Sequence, residues 1–225
     1  MNISSSKLII YYTFLSEYMD TEIYKICKKL FKNEDYNSIK HQSQNRKKER
    51  AVGRELLGKV LFTEMGIKLD DCKIAKNEYG KPYIKNYKGI YYNISHSNDI
   101  IVLAFSTCGP VGIDVELLKT DYLDVMNEVF TLQEINWINS CNEEQRLERF
   151  FIVWTRKEAV IKAIGKGFSF PVKNFSVSRD QVNGQVIKDL KYSTFFLEKD
   201  YVLSIAVCNS SISFDGVNIE KWKGR

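Results

Sequence analysis

Two long amphipathic segments, one in each half of the 225-residue chain, constrain its folding most. The first, residues 46–65 (RKKERAVGRELLGKVLFTEM), sets Val52, Leu56, Val60 and Met65 at helical spacing, with Gly66 as its stop. The second, residues 143–164, ends at Gly165-Lys166-Gly167, and Pro171 forbids its continuation. Around the first lie a β-prone run at 9–14, a helical run at 22–31, a polar loop at 33–44, and strands at 72–75, 82–84, 91–94 and 100–106. Around the second lie a strand at 111–115, a helix at 123–139, and strands at 175–178, 184–187, 194–197 and 202–207. Each half thus reads as strand, long helix, then several strands. We expect an α+β chain of two similar halves, 1–109 and 110–225, divided at Cys108-Gly109-Pro110.

Composition sets the outer limits. Thirteen Tyr, 13 Phe and 3 Trp supply ample apolar surface for a core, which excludes disorder as the dominant state. The 5 cysteines are scattered without a CxxC pair and there are 2 histidines, so a zinc site is not expected and a reducing compartment is. The apolar runs at 8–15 and 100–105 fall far short of the ~20 residues of a membrane-spanning helix. No small-residue cleavage pattern follows the first, so a soluble, cytoplasmic protein is expected. The net charge of +5 is compatible with nucleic acid, a membrane surface or a phosphorylated small molecule.

Four groups of residues can carry chemistry. In Gly112-Ile113-Asp114-Val115-Glu116, strand alternation puts Asp114 and Glu116 on one face. Two carboxylates ~4 Å apart repel by ~4 kcal/mol at an effective dielectric of 20, and a hard divalent cation would reverse that sign. A solvated outer strand face explains the same pattern. In Trp154-Thr155-Arg156-Lys157-Glu158-Ala159-Val160-Ile161-Lys162, Glu158 and Lys162 share a helix face, as functional groups or as a surface ion pair. Tyr91-Tyr92-Asn93-Ile94-Ser95-His96-Ser97 runs a strand into hydroxyls and an imidazole that could converge on an anion; a lone histidine also serves structural roles. Gly80-Lys81-Pro82 is a turn carrying a cation.

In series, GKPYI, NISHS, GIDVE and WTRKEAVIKAIGKG resemble the 4′-phosphopantetheinyl transferase family of the Sfp type. Phe130-Thr131-Leu132-Gln133-Glu134 is similar to that family's FTxxE segment, and the resemblance runs from about Lys47 through Val207. It implies a monomer of two pseudo-two-fold related subdomains, each with a long helix and a small sheet, and an active site between them. It further implies transfer of the 4′-phosphopantetheine arm of coenzyme A to a serine of an apo acyl or peptidyl carrier protein, with release of 3′,5′-ADP.

By the same resemblance, Asp114, Glu116 and Glu158 hold Mg²⁺. Glu158 is also the candidate general base, and Lys162 stabilises charge on the transferring phosphate. Lys81, Ser95 and His96 match coenzyme A phosphate contacts, and Arg46 and Arg50 lie on the helix that meets the 3′-phosphate. Residues 40–44 depart from the aromatic-rich segment usual there. Phe130, Trp137 and Ile138 are candidate carrier contacts or core.

Two rivals remain open on the residues. A Mg²⁺-dependent phosphodiesterase or nuclease would use the same carboxylates, without accounting for GKP and NISHS. A nucleic-acid-binding module would use the basic helix, without accounting for Asp114 and Glu116. Residues 40–59 carry seven Lys/Arg against two Glu, equal to the whole net charge of +5. That concentration suits the phosphates of coenzyme A and an acidic carrier face, so no nucleic-acid or membrane partner is expected.

Overall fold

The computed structural model describes residues 6–30, 42–118, 125–178, 189–198 and 200–222. In the first half, β1 (Leu8–Phe14) leads into α1 (Asp20–Leu30) and the long α2 (Gln44–Met65). Then follow β2 (Ile74–Lys76), β3 (Pro82–Ile84), β4 (Tyr91–Ser97) and β5 (Ile100–Ser106). The second half runs β6 (Val111–Leu117), α3 (Met126–Val129), α4 (Leu132–Asn139), α5 (Glu143–Ile164), β7 (Leu190–Leu197), β8 (Tyr201–Cys208) and β9 (Asn218–Lys221). The architecture is α+β, as expected.

Both long helices have 22 residues and are bounded by local chemistry. Ser43 caps α2 by accepting from the Arg46 N–H, and Asn142 caps α5 by accepting from that of Gln145. Each ends on a left-handed glycine, Gly66 at φ 68° and Gly165 at φ 76°.

The strands make three sheets, ordered β4-β5-β1-β9, β2-β3 and β6-β8-β7. The first and third face one another and enclose a core of Ile10, Phe14, Ile100, Val102, Val111, Ile113, Leu203 and Ile205. Helix α2 covers the far side of the first sheet, against Ile101, Leu103 and Phe105. Helix α5 covers the far side of the third, against Val202 and Ala206. The order of layers is therefore helix, sheet, sheet, helix. β5 is buried on both faces, which is why its first six residues, IIVLAF, are continuously apolar rather than alternating.

Sheet membership crosses the 109/110 division once, because β9 pairs in parallel with β1, Ile9 opposite Asn218 through Tyr12 opposite Lys221. Three expectations need correction. The single helix over 123–139 is broken: Phe130 is extended, and Thr131 starts a new helix through a capping box with Glu134. Residues 175–178 form no strand among the described residues, with Ser176 alone making a single bridge. β9 was not expected at all, since three of the four residues of Asn218–Lys221 are polar and it lacks an apolar run. The expected strand at 184–187, most of the loop at 33–44 and the start of the helix at 123 lie outside the described residues.

Candidate active site

The site forms where β4, the edge of one sheet, lies beside β6, the edge of the other. Alternation along β4 sends Asn93, Ser95 and Ser97 to one side, and β6 supplies their partners. Asn93 Oδ1 accepts from the Ile113 N–H at 2.8 Å, and Ser95 Oγ donates to Asp114 Oδ1 at 2.8 Å. Ser97 Oγ donates to Glu116 Oε2 at 2.6 Å and accepts from the Leu117 N–H at 3.3 Å. These side chains join the two sheets where no strand pairing does.

Val111, Ile113 and Val115 turn into the core between the sheets, so Gly112, Asp114 and Glu116 face α5. A Cβ on Gly112 would stand 2.0 Å from the Ala159 carbonyl oxygen, so helix and strand touch backbone to backbone. That approach brings Lys162 Nζ within 2.6 Å of Asp114 Oδ1 and 3.0 Å of Ser95 Oγ. The Asp114 side chain is only 5% exposed, which removes the solvated-face reading of the DxE pattern. The ion pair made by Lys162 reaches across to β6, rather than lying along the helix surface.

Electrostatics mark the carboxylates as short of positive charge. Burial pushes Glu116 up to about 6, with Asp114 and Glu158 adding to the rise and Ser97 and Lys162 opposing it. Glu158 is also raised, by burial first and then by Asp114. Asp114 Oδ2 is buried without a hydrogen-bond partner. Among the described residues no three Asp, Glu, His or Cys side chains are gathered closely enough to cage a metal ion. The donor set nonetheless fits a hard cation in character: an orphaned buried carboxylate oxygen, with two neighbouring carboxyls held towards protonation.

Two cavities meet at Pro82. One of about 700 Å³ is lined by Glu49, Arg50, Gly53, Lys76, Pro82 and His96 among others. The other, about 260 Å³, is lined by Lys81, Pro82, Asn93, Glu158, Lys162 and Gly165 among others. His96 and Ser95 were expected to converge on one anion, yet strand alternation sends them apart. Ser95 faces Asp114, whereas His96 faces α2, with Nε2 3.5 Å from Glu49 Oε2. Burial lowers the His96 pKa, Glu49 opposes that shift, and Arg46 and Lys162 reinforce it. Arg50 lines the larger cavity, and Arg46 is exposed one turn earlier.

Lys81 is placed differently from the expected phosphate contact. Its ammonium donates to the carbonyls of Val111 at 2.9 Å and Ala163 at 3.1 Å, and burial lowers its pKa to about 8. Of the candidate carrier contacts, Phe130 and Ile138 are core, 2% and 0% exposed, while Trp137 lies under the Arg149 guanidinium. Lys40 lies outside the described residues.

Comparisons with known proteins show the family. A family model described as 4′-phosphopantetheinyl transferase superfamily matches residues 110–206, and one for the N-terminal part of such transferases matches residues 18–108. A 4′-phosphopantetheinyl transferase of Bacillus subtilis is 33% identical over 76% of this chain and 80% of its own length. The chain belongs to the 4′-phosphopantetheinyl transferase family. The Sfp transferase of Bacillus subtilis (strain 168) is 31% identical, over 72% of this chain and 74% of that protein. The gsp transferase of Aneurinibacillus migulanus is 35% identical over 62% of this chain, which spans 58% of that relative. The hydrolase and nucleic-acid readings are not favoured by these matches.

Sequence reasoning missed Asn93, Ser97, Gly112 and Glu49. The first two were legible as the neighbours of Ser95 at a spacing of two. Gly112 was legible as a glycine inside a strand. Glu49 carried no signal, since α2 has charged residues on several faces.

Proposed function

We propose that this transferase moves 4′-phosphopantetheine from coenzyme A to a serine of an apo acyl or peptidyl carrier protein, acts with Mg²⁺, and works as a cytoplasmic monomer. The Lys162–Asp114–Ser95 cluster between the two sheets carries this reading, because it fixes a cation beside carboxylates that need one. The serine oxygen attacks the β-phosphorus, the bond to the bridging oxygen breaks, and 3′,5′-ADP departs. Glu158, raised in pKa by its surroundings, takes the serine proton. Lys162, aimed by Asp114 and Ser95, neutralises charge on the transferring phosphate. His96 and Arg50 would meet the adenosine 3′-phosphate from the larger cavity, with Arg46 one turn before Arg50 on the same helix, and Ser95 holds Asp114 in register. Asp114, Glu116 and Glu158 would hold Mg²⁺, which supplies charge neutralisation on the pyrophosphate when bound.

The test incubates the protein with apo carrier, coenzyme A and Mg²⁺, and weighs the intact carrier. A gain of one phosphopantetheine unit, lost in Asp114→Ala with the fold retained, is expected. No gain on fatty-acid, polyketide and peptide carriers alike would overturn the reading. Cleavage of a nucleic acid by the same preparation would favour the hydrolase rival.

A further inference from the structure

An α-helix leaves its last carbonyls without partners inside the helix. At the end of α5 two of them are met from the other half of the chain. Asn77 Nδ2 donates to the Gly165 carbonyl at 2.8 Å, and Lys81 Nζ donates to that of Ala163 at 3.1 Å. The same ammonium donates to the Val111 carbonyl, at the start of β6, at 2.9 Å. An ammonium at a helix C-terminus is also favoured by the helix dipole.

The turn that carries these two side chains is braced before it reaches the helix. Asn77 Oδ1 accepts from the N–H groups of Tyr79 at 3.0 Å and Lys81 at 2.8 Å, and the Asn77 N–H donates to the Lys81 carbonyl at 3.0 Å. Gly80 takes φ 89°, which closes the turn. The fit against the helix is close: a Cβ on Gly165 would lie 2.9 Å from Lys81 Cδ and 3.3 Å from Asn77 Nδ2. Glycine at 165 thus allows both the left-handed cap and the contact.

We propose that the turn from Asn77 to Lys81 is a clip that positions the end of α5 against β6, with Lys81 acting as a positioning residue rather than as a ligand of a coenzyme A phosphate. The two backbones it ties together are those that carry the chemistry. Ala163 follows Lys162, and Val111 lies three residues before Asp114. Holding both carbonyls on one ammonium fixes how far Lys162 reaches towards Asp114. The kinetic part of this inference rests on the transferase reading; the structural part does not.

Three variants test it: Lys81→Met, which removes both bonds; Lys81→Arg, which can restore them; and Asn77→Asp, which keeps the Oδ1 acceptor but loses the donor. In protein without substrates, amide exchange at residues 160–165 should accelerate about tenfold in Lys81→Met and Asn77→Asp, and less in Lys81→Arg. In the carrier assay, kcat should fall about ten- to hundredfold in the first two, with KM for coenzyme A and affinity for 3′,5′-ADP within about twofold of the parent. Lys81→Arg should recover most of the rate. A raised KM and weakened 3′,5′-ADP binding, with exchange unchanged, would overturn the clip and return Lys81 to the phosphate site. If the parent protein transfers nothing to any carrier, the functional reading fails and the exchange result alone decides the clip. Should Lys81→Met not fold, Asn77→Asp carries the same decision.

Discussion

A Cβ at position 112 would fall 2.0 Å from the Ala159 oxygen and 2.3 Å from the Ala163 nitrogen, both backbone atoms that cannot step aside. Gly112→Ala must therefore push α5 off β6 and part Lys162 from Asp114. A loss of at least about 3 kcal/mol in urea unfolding is expected, together with the loss of transfer. Gly53, in the other long helix, is the control. Its Cβ would meet Ile94 Cγ2 at 3.4 Å, an ordinary contact, so Gly53→Ala should be neutral or stabilise by up to about 1 kcal/mol. Glu116 offers a second residue-level test. Its folded pKa of about 6 lies above the ordinary 4.5, so the folded chain keeps a proton that the unfolded chain releases. The stability from that proton is complete below pH 4.5 and is lost as pH rises through about 6. In chelator, Glu116→Gln should be neutral at pH 4.5 and stabilising by about 1 kcal/mol at pH 8, allowing for its partial solvent screening. No difference between the two pH values would show that this carboxyl is not penalised by burial.

Between α4 and α5 one buried pair explains two places where periodicity misleads. Glu134 and Lys157 have side chains 0% and 1% exposed, 3.1 Å apart. Glu134 accepts from the N–H groups of Thr131 and Val177 at 2.7 and 2.9 Å, and Lys157 donates to the carbonyls of Val172 and Phe175 at 2.6 and 2.9 Å. The pair thus both starts α4, through Glu134 at Thr131, and ties down the chain from the short helical turn Val172–Asn174 to Val177, where apolar alternation over 175–178 alone suggests a strand. Local caps such as Thr131-x-x-Glu134 are readable from sequence; the partner waiting 23 residues later at Lys157 is not, because nothing local encodes which buried acid a buried base will meet. Gly165 and Gly66 were readable for the opposite reason, since a helix end is a local event. Breaking the pair leaves a charge uncompensated, so Lys157→Met and Glu134→Gln should each cost about 3–5 kcal/mol in urea unfolding. The double variant should cost clearly less than their sum. Full additivity would mean that the two side chains do not act together.

At the scale of the molecule, the helix-plus-strands pattern told how many layers each half could build, but not that the two sheets would close on each other. That closure depends on pairings between residues far apart in sequence, such as Ile9 with Asn218, for which a single chain carries no period. It has a consequence for the division near Gly109. In a fragment 1–109, Ile10, Phe14, Ile100 and Val102 would lose the sheet that covers them, and β1 would lose β9. Four such side chains are worth about 6–12 kcal/mol when fully buried. That matches the whole net stability of a typical domain, about 5–15 kcal/mol. We therefore infer that the halves on either side of Gly109 do not fold independently. Expressed alone, 1–109 and 110–225 should each lack dispersed amide resonances and a cooperative urea transition. Co-expressed, they should associate and regain both, with transferase activity, because every contact between the sheets can re-form except the chain connection itself. A fragment 1–109 that unfolds cooperatively by itself would show that α2 and its own sheet are sufficient, and that the core between the sheets serves the active site more than the fold.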